Sequence, residues 1–306
     1  MNGLTLARRY YAAAGRPAFE AVFPGLIGRM AFGLAGEGSE CFGFDDDLSR
    51  DHDWGPSFCI WLTEDDYLQY GAQVQAVYDS LPRDFEGVSA RHVTEPGRRR
   101  TGCLSADRWY ARYTGRPDGP QTLQEWRRVP EHFLATATNG AVFNDPLGMF
   151  TAVREHLLND YPEDLRIKRL ARCAAVMAQA GQYNYPRCMA RGETVAAQLA
   201  LAEFSKAAMS MVYLLNRRYA PFYKWMHRGL RELPKLSRVG ALLEQLCAAD
   251  PAEAVELVES ICLLAAAELR RQGLSDRRES FLEAYGADLM AHIEDPLLRR
   301  THVMEE

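Results

Sequence analysis

The stretch GEGSECFGFDDDLSRDHDWG, from Gly36 to Gly55, is the most informative part of the chain. It places Gly38-Ser39 upstream of Asp51 and Asp53, which are separated by one residue. Alternate side chains of an extended strand point to the same face, so the two carboxylates are expected to project together. Mg²⁺ takes one or two protein carboxylates and leaves positions for water and phosphate oxygens. The pattern therefore predicts a magnesium site at Asp51 and Asp53, with a layout suited to phosphoryl transfer.

The Gly38-Ser39 pair fits the same chemistry. Glycine lets a ligand approach the backbone closely, and the serine hydroxyl can meet a phosphate oxygen. Taken alone, the pair also fits an ordinary strand-to-helix turn with a serine cap. Likewise, the aspartate pair also fits a solvated acidic turn, because three more aspartates lie at 45–47.

The combination resembles the DNA polymerase beta-like nucleotidyltransferase superfamily, in which a Gly-Ser pair precedes Asp-x-Asp on the next strand. Further along, three segments are similar to an uncharacterised bacterial family of nucleotidyltransferase-like proteins, and the likeness extends to about Leu236. The segments are NGAVFNDPLGMFTAVREHLLNDYPEDL, AQAGQYNYPRCMARGE and VYLLNRRYAPFYKW.

The resemblance implies a magnesium-dependent transfer of a nucleoside monophosphate from a nucleoside triphosphate, with ATP expected, to a hydroxyl of a small molecule. Two alternatives stay open. The enzyme could modify a protein or tRNA instead, or the chain could be a non-catalytic nucleotide-binding or interaction module.

The resemblance also implies a third catalytic carboxylate on a neighbouring strand. Two strands are predicted, at 85–93 and at 102–110, on either side of a Pro-Gly turn and the basic run at 98–100. Glu86 on the first strand fits the expected order, and Asp107 on the second is its rival. The three arginines between them are interpreted as a solvated hairpin tip or as a phosphate-binding patch.

The C-terminal half offers candidate nucleotide contacts. Similar nucleotidyltransferases supply a lysine to the phosphates from a helical domain, which makes Lys206 the candidate here. With Glu203, Ser210 and Tyr213 it is predicted to share the polar face of a helix over 194–216. Tyr183 could stack on a base and Arg187 could bind phosphate. The alternatives are a solvated helix surface for Lys206 and a packing cluster for Tyr183 and Arg187.

The composition is that of a globular protein of 306 residues with a formal net charge of -5. This charge argues against a general nucleic-acid or membrane-surface binder. The seven cysteines contain no CxxC pair, and neither a secretory signal nor a membrane span is apparent, so a cytoplasmic location is expected.

The predicted architecture is α+β, with a nucleotidyltransferase-like mixed sheet and helices at 1–150 and a helical bundle at 151–306. In the first part, a helix is predicted at 64–80 and a hairpin at 135–143, turning at Asn139-Gly140. Apolar residues at helical spacing then predict five helices, at 164–180, 194–216, 238–248, 251–271 and 276–293.

Overall fold

The computed structural model describes residues 1–50, 54–89 and 100–305. The chain divides into two compact units, Met1–Asp160 (unit 1) and Tyr161–Glu306 (unit 2). Unit 1 combines a mixed sheet with helices, whereas the regular elements of unit 2 are helical throughout its described residues. The predicted α+β class is therefore confirmed. Across the three described ranges, no helix has both the length and the apolar character that spanning a membrane requires.

The described part of unit 1 contains a four-stranded sheet in the order β3-β2-β1-β4. Its strands are β1 (Ala31–Leu34), β2 (Cys59–Leu62), β3 (Gly102–Ser105) and β4 (Ala141–Asn144). β1 runs antiparallel to β2 and β4, and β2 runs parallel to β3. Gly33 pairs with Cys59, which in turn pairs with Gly102. The end of β1 and the starts of β2 and β3 consequently meet at one edge of the sheet.

Helices cover both faces of this sheet, and polar side chains set where several of them begin. Thr63 accepts a hydrogen bond from the Asp66 N–H at the start of α4 (Glu64–Asp79), and Thr122 forms a reciprocal capping box with Glu125 at the start of α6 (Leu123–Arg128). The helices of unit 1 are α1 (Gly3–Tyr10), α2 (Arg16–Val22), α3 (Ser39–Phe42), α4 (Glu64–Asp79), α5 (Ala106–Thr114), α6 (Leu123–Arg128), α7 (Glu131–Thr138) and α8 (Met149–Asn159).

The sheet is buried on both faces, which explains why β2 is a continuous apolar run rather than an alternating one. On one face, Phe32 and Ile60 join a cluster that includes Phe19 and Phe58. On the other face, Trp61 packs against the ring of Phe150 from α8. Full burial of such a side chain contributes about 1.5–3 kcal/mol.

The structure corrects the two strands predicted at 85–93 and 102–110. Phe85 and Val88 bond to each other across a tight turn, and the predicted segment passes out of the described residues after 89. The second strand ends at Ser105, because the Ser105 hydroxyl accepts a hydrogen bond from the Arg108 N–H and starts α5.

The hairpin predicted at 135–143 is wrong in its first half. Helix α7 continues to Thr138, and Asn139-Gly140 leads from this helix into β4. The Asn139 side chain exchanges two hydrogen bonds with the backbone of Gly36, at 3.0 and 2.7 Å. A long-range contact, rather than a neighbouring strand, therefore fixes this turn.

Unit 2 confirms the predicted helices at 164–180, 194–216, 238–248 and 251–271 to within a few residues, the first of them continuing through a π-helical turn at Met177–Asn184. The one predicted at 276–293 is shorter and begins only at Glu283. The helices of unit 2 are α9 (Glu163–Val176), α10 (Tyr185–Ala190), α11 (Thr194–Leu215), α12 (Tyr223–Leu230), α13 (Arg238–Leu246), α14 (Pro251–Arg271), α15 (Glu283–Ala291) and α16 (Pro296–Arg300).

Candidate functional site

A cavity of about 220 Å³ in unit 1 opens at the sheet edge where β1 ends. The turn after β1, the start of α3, the residues around β3 and one face of α5 form its walls, and Tyr67 of α4 completes them. Its polar lining includes Glu37, Glu40, Arg100, Arg108 and Arg112.

Gly38 lies on the wall of this cavity, and Ser39 beside it is the first residue of α3. The Glu40 carboxylate folds back into the space that a Cβ at position 38 would occupy. Glu40 is only 5% exposed, and its carboxylate can occupy this buried position because Gly38 has no side chain. The predicted turn therefore borders a cavity, while Ser39 is not among the described lining residues.

Arginines from α5 and from the loop before β3 line the cavity. The Arg112 guanidinium donates to the Glu37 carboxylate at 2.5 Å, and Arg100 approaches the other oxygen of Glu37 at 3.9 Å. Arg108 forms a two-pronged ion pair with Glu64, which also accepts a hydrogen bond from the Ser105 hydroxyl at 2.6 Å. Hydrogen bonds from Arg108 and Ser105 lower the pKa of Glu64.

Sequence reasoning assigned no role to Arg108 and Arg112, because it extended β3 to Tyr110. A helix signal was nevertheless present in Ser105 followed by Ala106-Asp107, a cap with an acidic first turn. On a helix, residues four apart share a face, which is why Arg108 and Arg112 both reach the cavity. Of the basic run at 98–100, Arg100 lines the cavity, and Arg98 and Arg99 lie outside the described residues.

The predicted metal ligands Asp51 and Asp53 also lie outside the described residues. The description resumes at Trp54, whose indole N–H donates to Asp45 at 3.0 Å shortly before β2 begins. Within the described ranges, no group of three or more His, Cys, Asp or Glu side chains is placed to hold a metal ion.

Neither candidate for the third carboxylate is among the described residues that line the cavity. Glu86 sits in the tight turn with a φ of 49° and forms an ion pair with Arg9 at 2.8 Å. Asp107 lies in the first turn of α5 rather than on a strand. Burial raises its pKa, and the nearby charges of Glu64 and Asp65 raise it further.

The nucleotide contacts predicted in the C-terminal half all lie in unit 2. Lys206 is exposed on α11, in agreement with its predicted polar face. Tyr213 was assigned to that face incorrectly, because it is 4% exposed and donates its hydroxyl to the Met226 carbonyl at 2.9 Å. The Arg187 guanidinium lies 4.7 Å from the centre of the half-exposed Tyr183 ring. This cation–π contact covers part of the ring that was predicted to stack on a base.

The comparison with known families reaches only part of the chain. Residues 126–226 match the family model described as Domain of unknown function (DUF4037). The matched range contains Tyr183, Arg187 and Lys206, whereas Gly38, Arg108 and Arg112 lie outside it. No curated protein and no solved structure matches the chain. The predicted likeness to an uncharacterised family is therefore confirmed for this range, and the nucleotidyltransferase assignment stays a prediction.

Proposed function

We propose that the protein is a magnesium-dependent nucleotidyltransferase that transfers a nucleoside monophosphate from a nucleoside triphosphate to a hydroxyl of a small molecule. The observation that carries the proposal is the cavity at the end of β1. Its wall includes Gly38 of the Gly-Ser pair, and three of its described lining residues are arginines. Guanidinium groups match phosphate oxygens in charge and geometry.

In the proposed reaction the acceptor hydroxyl oxygen attacks the α-phosphorus of the nucleotide. The bond between that phosphorus and the pyrophosphate oxygen breaks, the hydroxyl proton passes to solvent or a base, and pyrophosphate leaves. The part of this chain is to hold the phosphates in line for the attack, which lowers the entropic barrier to transfer. Arg100 and Arg112 would do so, and Arg108 lines the same cavity in its ion pair with Glu64.

The magnesium part of the proposal rests on the sequence. Asp51 and Asp53 supply the hard oxygen donors that Mg²⁺ prefers, and they precede β2, whose first residue pairs with β1 beside the cavity. Bound there, the ion would neutralise charge that develops on the phosphates.

The proposal is tested by measuring pyrophosphate release from each nucleoside triphosphate, ATP first, against pools of hydroxyl acceptors. Asp51→Asn and Asp53→Asn are expected to abolish release and to leave the thermal midpoint unchanged or higher, because like charges held together are costly without a metal. The exposed Asp276 of unit 2 provides the charge-matched control Asp276→Asn. Full activity in both Asp51→Asn and Asp53→Asn would contradict the mechanism.

A non-catalytic nucleotide-binding module is the second candidate, and one observation favours it. Neither carboxylate that the sequence nominates as the third catalytic group lines the described part of the cavity, because Glu86 pairs with Arg9 and Asp107 begins α5. Such a module would bind a nucleoside triphosphate but release no pyrophosphate with any acceptor. Calorimetry with and without magnesium, run beside the release assay, distinguishes the two functions.

A further inference from the structure

The Glu37 carboxylate is the feature of the cavity that the proposed function leaves unexplained. It lies between the guanidinium groups of Arg112 and Arg100. All three side chains are between 30% and 39% exposed, so they sit partly shielded from water. A carboxylate held by two arginines occupies the kind of place that a phosphate group fills in a ligand complex.

The surroundings of Glu37 leave open space on one side of it. Gly36 and Gly38 flank it; a side chain at position 36 would meet no atom within 4 Å, whereas Glu40 fills the space beside position 38. Arg108, in contrast, is fixed by Glu64, which Ser105 also binds. Because Glu64 balances the charge of Arg108, the other charged residues of the described lining are Arg100, Arg112, Glu37 and Glu40, and removing the Glu37 carboxylate leaves an excess of one positive charge.

We infer that Arg112, together with Arg100, receives the polyphosphate of the nucleotide, and that Glu37 occupies this place until the ligand displaces it. The inference rests on the proposed function for the class of ligand. A polyphosphate carries more charge than one carboxylate and offers oxygens to both guanidinium groups at once. The cavity of about 220 Å³ is smaller than the roughly 300 Å³ at which drug-sized ligand sites begin, so it suits the phosphate chain rather than a whole nucleotide.

The inference is tested by calorimetry with inorganic tripolyphosphate in the presence of a chelator, so that neither magnesium nor an acceptor takes part. Arg112→Gln is expected to weaken binding about tenfold, as the loss of one charge-assisted hydrogen bond implies. Glu37→Gln is expected to strengthen binding about threefold or more, because the competing carboxylate is gone.

Matched controls separate a specific site from general electrostatics. Arg116 lies four residues beyond Arg112, is similarly exposed (43% against 39%) and also binds carboxylates, but it is not among the lining residues. Arg116→Gln is therefore expected to change binding less than about twofold at 0.15 M salt. Glu20→Gln removes one exposed negative charge elsewhere in unit 1 and serves the same purpose for Glu37→Gln.

Three results would overturn the inference: no binding by the wild-type protein, equal losses in Arg112→Gln and Arg116→Gln, or weaker binding in Glu37→Gln. Should Arg112→Gln fail to fold, as judged by circular dichroism, Glu37→Gln still decides the matter. Binding that depends on Arg112 without any pyrophosphate release would support the inference and contradict the proposed transfer. Pyrophosphate release that is equally fast in Arg112→Gln and the wild type would contradict the inference and support the proposed transfer.

Discussion

Trp61 of β2 and Phe150 of α8 stack with their ring centroids 3.8 Å apart, and both side chains are fully buried. The Phe150 carbonyl also accepts a hydrogen bond from the Tyr110 hydroxyl at 2.8 Å. α8 is thereby tied to β2 and α5, which explains why unit 1 continues through this helix to Asp160. The stack is a long-range contact between residues that are far apart in sequence.

Phe150→Ala is expected to destabilise unit 1 by about 3–5 kcal/mol, because it removes a fully buried ring and leaves a cavity beside Trp61. Urea denaturation followed by Trp fluorescence measures the loss. Phe133→Ala, at a ring that is 38% exposed, is the control and is expected to cost less than about 1.5 kcal/mol. Equal effects of the two changes would show that the stack is not a principal contact.

Gly140 and Gly148 make a matched pair for a test of backbone packing. Both have a left-handed backbone, with φ values of 65° and 69°. A Cβ at position 140 would collide with the Leu34 carbonyl oxygen of β1, whereas a Cβ at position 148 would meet nothing within 4 Å. Gly148→Ala is expected to cost about 1 kcal/mol from the backbone conformation alone, and Gly140→Ala at least about 3 kcal/mol. Thermal denaturation of both variants provides the comparison, and equal midpoints would contradict it.

The ion pairs of Glu163 are expected to make the stability of unit 2 depend on pH. Hydrogen bonds from Arg166 and then Arg217 hold its pKa at about 2, below the usual 4.5. A depressed carboxyl pKa stabilises the folded state above pH 4.5, and this stabilisation is lost as the pH falls towards 2. Because the Glu163 side chain is 45% exposed, solvent screening keeps its contribution to about 1 kcal/mol or less.

Glu163→Gln should therefore lower the thermal midpoint at pH 7 and have no effect near pH 2. The midpoints of the wild type and the variant are compared by circular dichroism across this range. The exposed Glu256 supplies the control, Glu256→Gln, for which the two curves should run parallel. A Glu163→Gln curve parallel to that of the wild type would rule out this assignment.

Replacing Lys206 is expected to affect nucleotide binding, whereas replacing Lys235 is expected to affect stability. Lys206 is exposed on α11, whereas Lys235 donates to the Leu215 carbonyl at the end of the same helix, at 3.3 Å. Under the proposed function, Lys206→Ala should raise the Michaelis constant for the nucleotide about tenfold, through the loss of a charged phosphate contact. Lys235→Ala should instead lower stability by about 0.5–1 kcal/mol, because it removes a cation from a helix C-terminus.

Steady-state kinetics and thermal denaturation, run on both lysine variants, give the two readouts. Lys206→Arg keeps the charge and should retain part of the affinity. A kinetically silent Lys206→Ala would place Lys206 on a merely solvated face of α11 and exclude it from nucleotide binding.

The sequence alone was enough to locate the elements in which apolar residues recur at a regular, short spacing. Apolar residues at helical spacing located four helices of unit 2, and the strand predicted at 102–110 was located correctly at its start, Gly102. Such patterns can be recognised within a short stretch of sequence, because the apolar side chains of a helix or strand recur at the period that puts them on one face of that element. The α+β class followed from them. The pair Asp51 and Asp53 remains a sequence prediction, since it lies outside the described residues.

The tertiary structure was needed to show what fixes the turn at Asn139 and which charges share the cavity. The bonds between Asn139 and Gly36 and the ion pair of Glu37 with Arg112 join groups that are 103 and 75 residues apart in the sequence, whereas the Ser105 cap that ends β3 spans only three residues. Propensity gives each segment a weak preference, and packing or a hydrogen bond to a distant partner overrides it. For this reason the sequence could nominate Glu86 as a catalytic carboxylate, while the fold paired it with Arg9 and brought arginines of α5 to the cavity.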